Sequence, residues 1–268
     1  VPCAAPRLPA PRRHAVGTKA LWARFEGPEQ LPETLPENLA GLILPLLRWR
    51  QAPQALRAKT VLEAPRVMFG GMEAAAAKTL AEAKDAGFAG VMVHNIGHLP
   101  LAEGWKLYGG FGLNVANPLS ALCWKDLGLT ALTLSPEAPF SELEAVEPGV
   151  PTWAIVYGHL PLMITRACPL QNVTDCAHCD KHGLLTDRKH RQFPVRCGGG
   201  VRQIYNPVPL YLGDKLAKVP ADAALAWFTL ERPEEAARVL AALEKGAGWP
   251  EEFTRGLYFK NPRAGDSQ

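Results

Sequence analysis

Residues 152–168 read TWAIVYGHLPLMITRAC, and this stretch decides how the rest of the chain is organised. Residues 152–157 are almost wholly apolar without alternation, which is typical of a strand covered on both faces in a parallel sheet. His159 follows this strand closely, and Cys168 comes soon after it. The stretch therefore predicts a buried strand that leads directly into polar and thiol side chains.

Similar short apolar runs alternate with helical patterns along the whole chain. The predicted strands are residues 20–25, 41–46, 60–64, 89–94, 107–115, 131–134, 152–157 and 224–230. The clearest helical patterns are residues 71–86, 118–127 and 233–245. Strand–helix alternation with about eight strands predicts an α/β fold, a (β/α)8 TIM-barrel-like domain. An open doubly wound sheet is the alternative.

The alternation is interrupted between the seventh and eighth strands. Residues 160–222 are far too long for an ordinary βα loop, and they predict an inserted small cysteine-rich module with a hairpin at 184–187 and 193–196. The predicted division is a Pro/Arg-rich linker at 1–16, the barrel at 17–246 with the module inside it, and a tail at 247–268. The chain begins at Val1 without methionine, so we expect it to be joined to the remaining domains of a longer parent chain.

Composition excludes several classes of protein. The chain has 268 residues, of which 47% are hydrophobic and 21% charged, so disorder is excluded as its main state. The formal net charge of +3 permits a nucleic-acid partner without requiring one. No apolar run approaches the ~20 residues that span a bilayer, and no signal-peptide core is present. We therefore expect a cytoplasmic protein with no membrane partner.

Four of the six cysteines lie in one stretch of the module, with the spacing C-x7-C-x2-C-x17-C. These are Cys168, Cys176, Cys179 and Cys197. Four soft ligands suit either an iron–sulfur cluster or a tetrahedral Zn²⁺ ion. Structural zinc usually shows two paired knuckles, and only one C-x2-C pair is present here, so the spacing slightly favours a cluster. His178 and His182 lie close enough in sequence to keep zinc open.

Polar side chains also stand at the ends of four successive predicted strands. They are His94 and Asn95, Asn114 and Asn117, Ser135 and Glu137, and Tyr157 and His159. Because the carboxyl ends of barrel strands share one face, we expect Glu137, Tyr157, His159 and Cys168 to face one cavity. Glu137 and His159 are the predicted catalytic residues. The predicted substrate-binding residues are Tyr157, Arg188, Lys189 and Asn206.

Common catalytic motifs are missing. The sequence has no G-x-S-x-G elbow, no H-E-x-x-H, no Walker A loop and no G-x-G-x-x-G. A serine protease or a zinc-helix protease is therefore poorly supported.

Several linked motifs resemble those of the collagenase-like peptidase family U32. They are VYGHLPLMITRACPL (156–170), LLTDRKHRQFPVRC (184–197), IYNPVPLYL (204–212), WFTLERPEEA (227–236), GLNVANPLSALCWKDLGLTALTLSPE (112–137) and FTRGLYF (253–259). The resemblance covers roughly residues 17–260. Within that family, the chain resembles the C-terminal barrel-like unit of the longer members.

The resemblance implies two kinds of activity. The family name records proteolysis, whereas better-understood relatives are iron–sulfur proteins of oxygen-insertion chemistry, including 5-hydroxylation of pyrimidines in tRNA or rRNA and hydroxylation in ubiquinone biosynthesis. It also implies a [4Fe–4S] cluster held by Cys168, Cys176, Cys179 and Cys197, with zinc as the alternative. RNA modification is therefore the leading expectation. A peptidase, or a non-catalytic accessory domain stabilised by zinc or a cluster, is the alternative.

Overall fold

The computed structural model describes residues 19–171 and 175–260. The predicted linker at 1–16 and residues 261–268 of the predicted tail lie outside the described residues. No helix in the described part is both long enough and apolar enough to cross a membrane.

The secondary structure follows the predicted alternation. The strands are β1 (Ala20–Arg24), β2 (Leu39–Pro45), β3 (Thr60–Glu63), β4 (Gly90–Val93), β5 (Leu107–Gly109), β6 (Leu129–Thr133), β7 (Thr152–Gly158), β8 (Pro161–Thr165), β9 (His182–Thr186), β10 (Gln192–Gly198), β11 (Val201–Tyr205), β12 (Leu210–Tyr211) and β13 (Ala223–Trp227). The α-helices are α1 (Met72–Ala83), α2 (His98–Leu101), α3 (Pro118–Asp126), α4 (Phe140–Leu143) and α5 (Pro233–Glu244). Short 3-10 helices cover Pro28–Gln30, Leu46–Gln51, Gln54–Lys59, Phe111–Leu113 and Gly213–Lys218.

Eight of these strands form a closed parallel barrel. The order around it is β13-β1-β2-β3-β4-β5-β6-β7, and β7 pairs with both β6 and β13, which closes the ring. The predicted (β/α)8 fold is therefore confirmed, and the open sheet is excluded. Strands β3, β4, β7 and β13 are buried along their whole length, as expected of strands covered on both faces.

The barrel interior is packed with aromatic side chains. Trp22 on β1 contacts Trp153 on β7 with ring centroids 4.3 Å apart, and Tyr108 on β5 lies 5.5 Å from Trp153. These three strands are not neighbours, so their side chains meet only through the interior. Gly41 makes room for this cluster, because a Cβ there would lie 2.2 Å from the Trp22 ring.

Besides the long connection that carries the module, two connections of the barrel lack α-helices. The segments after β1 and β2 form only 3-10 turns. Prolines recur in both segments, at 28, 32 and 36 and again at 45 and 53. Proline has no N–H to donate and its ring clashes with the preceding turn, so these segments cannot continue as α-helices.

Strand β5 is shorter than predicted. The expectation of a strand over 107–115 is wrong, because the strand ends at Gly109 and a 3-10 turn follows. The buried ring of His94 occupies the space beside the chain here. A Cβ at Gly110 would lie 2.2 Å from His94 Cε1, and one at Gly112 would lie 3.0 Å from His94 Cβ. The two glycines let the backbone turn closely around His94.

The inserted module is a four-stranded antiparallel sheet with the order β8-β11-β10-β9. Its β9–β10 pair, in which Thr186 is opposite Gln192, is the predicted hairpin. Gly199 and Gly200, both at positive φ, make the turn from β10 to β11. Strand β12 returns to the barrel and pairs antiparallel with β7.

Residues beyond α5 also pack on the barrel. Tyr258 is buried and stacks on Phe140, with ring centroids 4.3 Å apart, and Thr254 bridges to Leu210.

Candidate functional site

A buried charged network lies at the carboxyl ends of three barrel strands, β1, β3 and β4. Arg24 ends β1, Glu63 ends β3, and His94 follows β4. Arg24 Nε donates to Glu63 Oε2 at 2.8 Å, and the other carboxylate oxygen of Glu63 lies 3.0 Å from His94 Nε2. Arg24 also contacts Glu26 and lies over the Trp227 ring at 5.0 Å. This end of the barrel is the one at which barrel enzymes build their active sites.

The electrostatics of the network keep Glu63 charged and His94 neutral. Burial alone would raise the pKa of Glu63, but the charge of Arg24 and the hydrogen bond with His94 outweigh it and lower this pKa to about 2. Burial lowers the pKa of His94 despite its carboxylate partner. A neutral His94 that donates from Nε2 to Glu63 leaves Nδ1 as an acceptor, and this atom is buried without a hydrogen-bond partner among the described residues.

A second histidine supports the first. His98, in α2, accepts a 3.1 Å hydrogen bond at Nδ1 from the backbone N–H of His94, and the Asn95 side-chain amide lies 2.8 Å from its Nε2. Burial and the nearby His94 lower the pKa of His98 to about 4. The loop after β4 is therefore organised around two uncharged imidazoles at neutral pH.

A cavity of about 430 Å³, the barrel-mouth cavity, separates this network from the inserted module. Its barrel wall includes Arg24, Glu63, Arg66, Phe111 and Trp227. Its module wall includes Ile164, Arg196, Gln203 and Tyr205. The module therefore covers the mouth of the barrel, and the cavity between them has the size of a small-molecule site.

The four clustered cysteines line one further cavity of about 260 Å³, the cysteine cavity. Cys168, Cys176, Cys179 and Cys197 share its wall with Arg202 and with the glycines at 198–200. All four are free thiols. Burial raises the pKa of Cys197, and a hydrogen bond with Arg202 offsets this in part.

The donor set of the cysteine cavity is four thiols, the ligand type of both iron–sulfur clusters and Zn²⁺. Within residues 19–171 and 175–260, no three His, Cys, Asp or Glu side chains converge as ligands of one metal ion. A single Zn²⁺ needs its sulfurs at about 2.3 Å, around one point. A [4Fe–4S] cluster likewise takes four cysteine ligands, one for each iron, so the four thiols fit either group. A Cβ at Gly198 would meet nothing within 4 Å, so the backbone on this side leaves space.

The two cavities share a wall. Cys197, Gly198, Gly199 and Val201 line both the cysteine cavity and the barrel-mouth cavity. A cofactor held by the cysteines would therefore lie next to any molecule bound at the barrel mouth.

The structure does not bring the other predicted site residues into the same cavity. Tyr157 and His159 line a separate cavity of about 380 Å³ with Glu231 and Trp249. The Tyr157 hydroxyl donates to Glu231 at 3.0 Å, and burial raises the pKa of Tyr157. The expectation of one common cavity fails because the β7–β13 register is interrupted at Val156, where Ile155 pairs with Leu225 but Tyr157 pairs with Ala226. The extra residue turns Tyr157 away from the interior face on which Trp153 lies. Tyr157 packs against Trp249, outside the barrel.

The remaining predicted residues are exposed or act through the backbone. Glu137 is exposed and lines none of the three cavities. Arg188 and Lys189 are exposed at the β9–β10 turn. Asn206 accepts a 2.8 Å hydrogen bond from His159 Nδ1 at its backbone oxygen. The catalytic roles of Glu137 and His159 stay predictions.

Sequence reasoning identified His94 as a polar strand end but missed Arg24, Glu63 and Arg66. A signal was available for two of them. Arg24 and Glu63 are the charged residues within the otherwise apolar predicted strands 20–25 and 60–64. A charged residue in a buried strand needs a partner of opposite charge. The presence of Arg24 in one such strand and of Glu63 in another therefore indicates that the two are paired.

Comparisons with known proteins support the fold. No protein-family model and no curated protein sequence matches the chain. Among solved structures, the U32 peptidase Mk0906 superposes with a TM-score of 0.50 and 13% sequence identity, over 84% of this chain and 98% of that chain. Identity this low reports on architecture alone. The resemblance seen in the motifs is thus confirmed at the level of the fold, and this chain has the fold of a U32 peptidase.

Proposed function

We propose that this protein is an iron–sulfur enzyme of the U32 family that modifies RNA, by 5-hydroxylation of a pyrimidine in tRNA or rRNA or a related oxygen insertion. The observation that carries the proposal is the wall shared by the cysteine cavity and the barrel-mouth cavity. A cysteine site beside a substrate-sized cavity is the arrangement that cofactor chemistry requires.

Cys168, Cys176, Cys179 and Cys197 would hold the [4Fe–4S] cluster, which supplies electron transfer when bound. Arg202 would contribute a positive charge and a hydrogen bond to Cys197. The free thiols are consistent with a reducing compartment, and we propose the cytoplasm. Zinc at the same thiols remains the alternative cofactor.

The charge of the module supports a polyanionic partner. Residues 160–205 contain seven Arg and Lys against three Asp and no Glu, whereas the whole chain has a net charge of only +3. Arg188 and Lys189 stand exposed at the hairpin tip. Such a concentration of positive charge beside a cavity favours the phosphate backbone of RNA.

A collagenase-like peptidase is the second candidate, and the description of Mk0906 as a peptidase favours it. A non-catalytic accessory domain is the third.

Anaerobic purification tests the cofactor. We expect visible charge-transfer absorption and about four irons per chain, from a cysteine-ligated [4Fe–4S] cluster. Stoichiometric zinc without that absorption would exclude the cluster. Incubation with unmodified tRNA and rRNA, and separately with denatured collagen, then distinguishes the activities by nucleoside mass analysis and peptide release. Peptide release without RNA change would favour the peptidase, and neither activity would favour the accessory domain.

A further inference from the structure

The barrel-mouth cavity contains a guanidinium, that of Arg66, which makes no direct ion pair within the described residues, although the charges of Glu63 and Glu137 act on it. Arg24 on its wall is paired with Glu63, and Arg48 makes two 2.6 Å hydrogen bonds to the carboxylate of Glu29. Arg66 differs from both. Within the part of the chain that the structure describes, its side chain makes no ion pair and no hydrogen bond.

Arg66 is held in place by packing instead. Its guanidinium lies over the Phe111 ring at 4.3 Å, and its Nη1 is shielded from solvent without a hydrogen-bond partner. Burial lowers the pKa of Arg66, although the charge of Glu63 opposes this. A desolvated guanidinium with unused donors is costly for a folded chain. An acceptor that arrives with a ligand would remove this cost.

The module contributes a second guanidinium to the same cavity. Arg196 on β10 lines it and contacts His182 rather than a carboxylate. Tyr205, buried on β11, lies within electrostatic reach of both Arg66 and Arg196. Positive charge therefore faces the cavity from the barrel and from the module.

We propose that the barrel-mouth cavity binds an oxyanion, a carboxylate or phosphate group, through Arg66 and Arg196. The planar fork of arginine matches the two oxygens of either group. Stacking on Phe111 orders the Arg66 guanidinium before the ligand arrives, which reduces the entropy lost on binding. The site requires neither a cluster nor RNA, and so goes beyond the proposed function.

Calorimetric titration of the purified chain tests this site. The probes are inorganic phosphate and malonate, at constant ionic strength set with chloride. We expect saturable binding of at least one of them. Arg66→Met should weaken it about tenfold or more, as for loss of a charge-assisted hydrogen bond, and Arg66→Lys should recover part of the loss.

Arg50→Met is the control, because it removes the same charge from an exposed position that does not line the cavity. It should change the affinity less than about threefold, as expected for a screened charge. Equal losses in Arg50→Met and Arg66→Met would show unspecific attraction and overturn the proposal, as would the absence of saturable binding in wild type. Thermal unfolding confirms that each variant folds.

The two sources of the oxyanion are separated in the same experiment. Preference for malonate supports a free carboxylate ligand at this site. Preference for phosphate, together with displacement by a short single-stranded oligoribonucleotide, supports a phosphate of the RNA backbone. Either result supports Arg66 as the binding residue.

Discussion

Glu63 is the residue on which the buried network depends. It accepts from Arg24 at 2.8 Å and lies 3.0 Å from His94 Nε2, at a position with only 5% of its surface exposed. Removing one partner of a buried ion pair leaves the other charge without compensation. The stability of this end of the barrel therefore rests on one carboxylate.

We expect Glu63→Gln to lower the free energy of unfolding at pH 7 by about 3 kcal/mol, from the linkage of the shifted pKa to stability. The pKa of Glu63 falls from 4.5 to about 2 on folding. The contribution is therefore complete above pH 4.5 and is lost as the pH falls towards 2. Urea unfolding of both proteins between pH 7 and pH 3 measures this.

The control is Glu82→Gln, at an exposed carboxylate that pairs with Arg50 on the surface. It should change the unfolding free energy by less than about 0.5 kcal/mol. A pH-independent difference between wild type and Glu63→Gln would contradict the assignment of a charged, paired Glu63.

At the scale of the element, the position at which strand β5 ends depends on the space that the His94 side chain occupies. Gly110→Ala places a methyl group 2.2 Å from His94 Cε1. We expect a loss of about 1–3 kcal/mol, which is typical of overpacking. Gly248→Ala, at an exposed position outside helices and strands where a Cβ would meet nothing within 4 Å, is the control and should be nearly neutral. Equal thermal midpoints for the two variants would disprove this account of the strand end.

The module is the element whose stability should depend on the proposed cluster. We expect Cys176→Ser and Cys179→Ser to lose the cluster and to increase amide exchange in β8–β11, because ligand binding and folding of a small module are coupled. Exchange in β3 and β4, buried along their length, should stay unchanged. Cys123→Ser, at an exposed thiol on α3, is the control. Faster exchange in the control as well, or unchanged iron content in Cys176→Ser, would argue against these ligands.

At the scale of the whole molecule, positive charge is concentrated on the module. Replacing both Arg188 and Lys189 with Ala should weaken RNA binding and reduce the slope of log affinity against log salt by about 1 to 2, as expected from two lost phosphate contacts. Lys215 and Lys218 lie on a 3-10 turn outside the module's sheet, and the corresponding double variant is the control. If both double variants show the wild-type slope, the hairpin tip does not contact RNA.

Much of the architecture was determined by local sequence signals. The unbroken apolar run at 152–157 predicts a fully buried strand because both faces must be covered. The proline-interrupted segments and the cysteine spacing likewise indicate connections and a module without reference to distant residues. These signals act over a few neighbouring residues, so they can be read directly from the chain.

Only the tertiary structure decided which polar residues meet. Arg24, Glu63 and His94 are far apart in sequence, and they come together because β1, β3 and β4 end on one face of a closed barrel. Tyr157 and His159 lie at the carboxyl end of another strand of the same barrel, β7, but line another cavity. Strand register and the alternation of side chains between the interior and exterior of the barrel determine this separation. Both depend on pairing between distant segments, which no local pattern specifies.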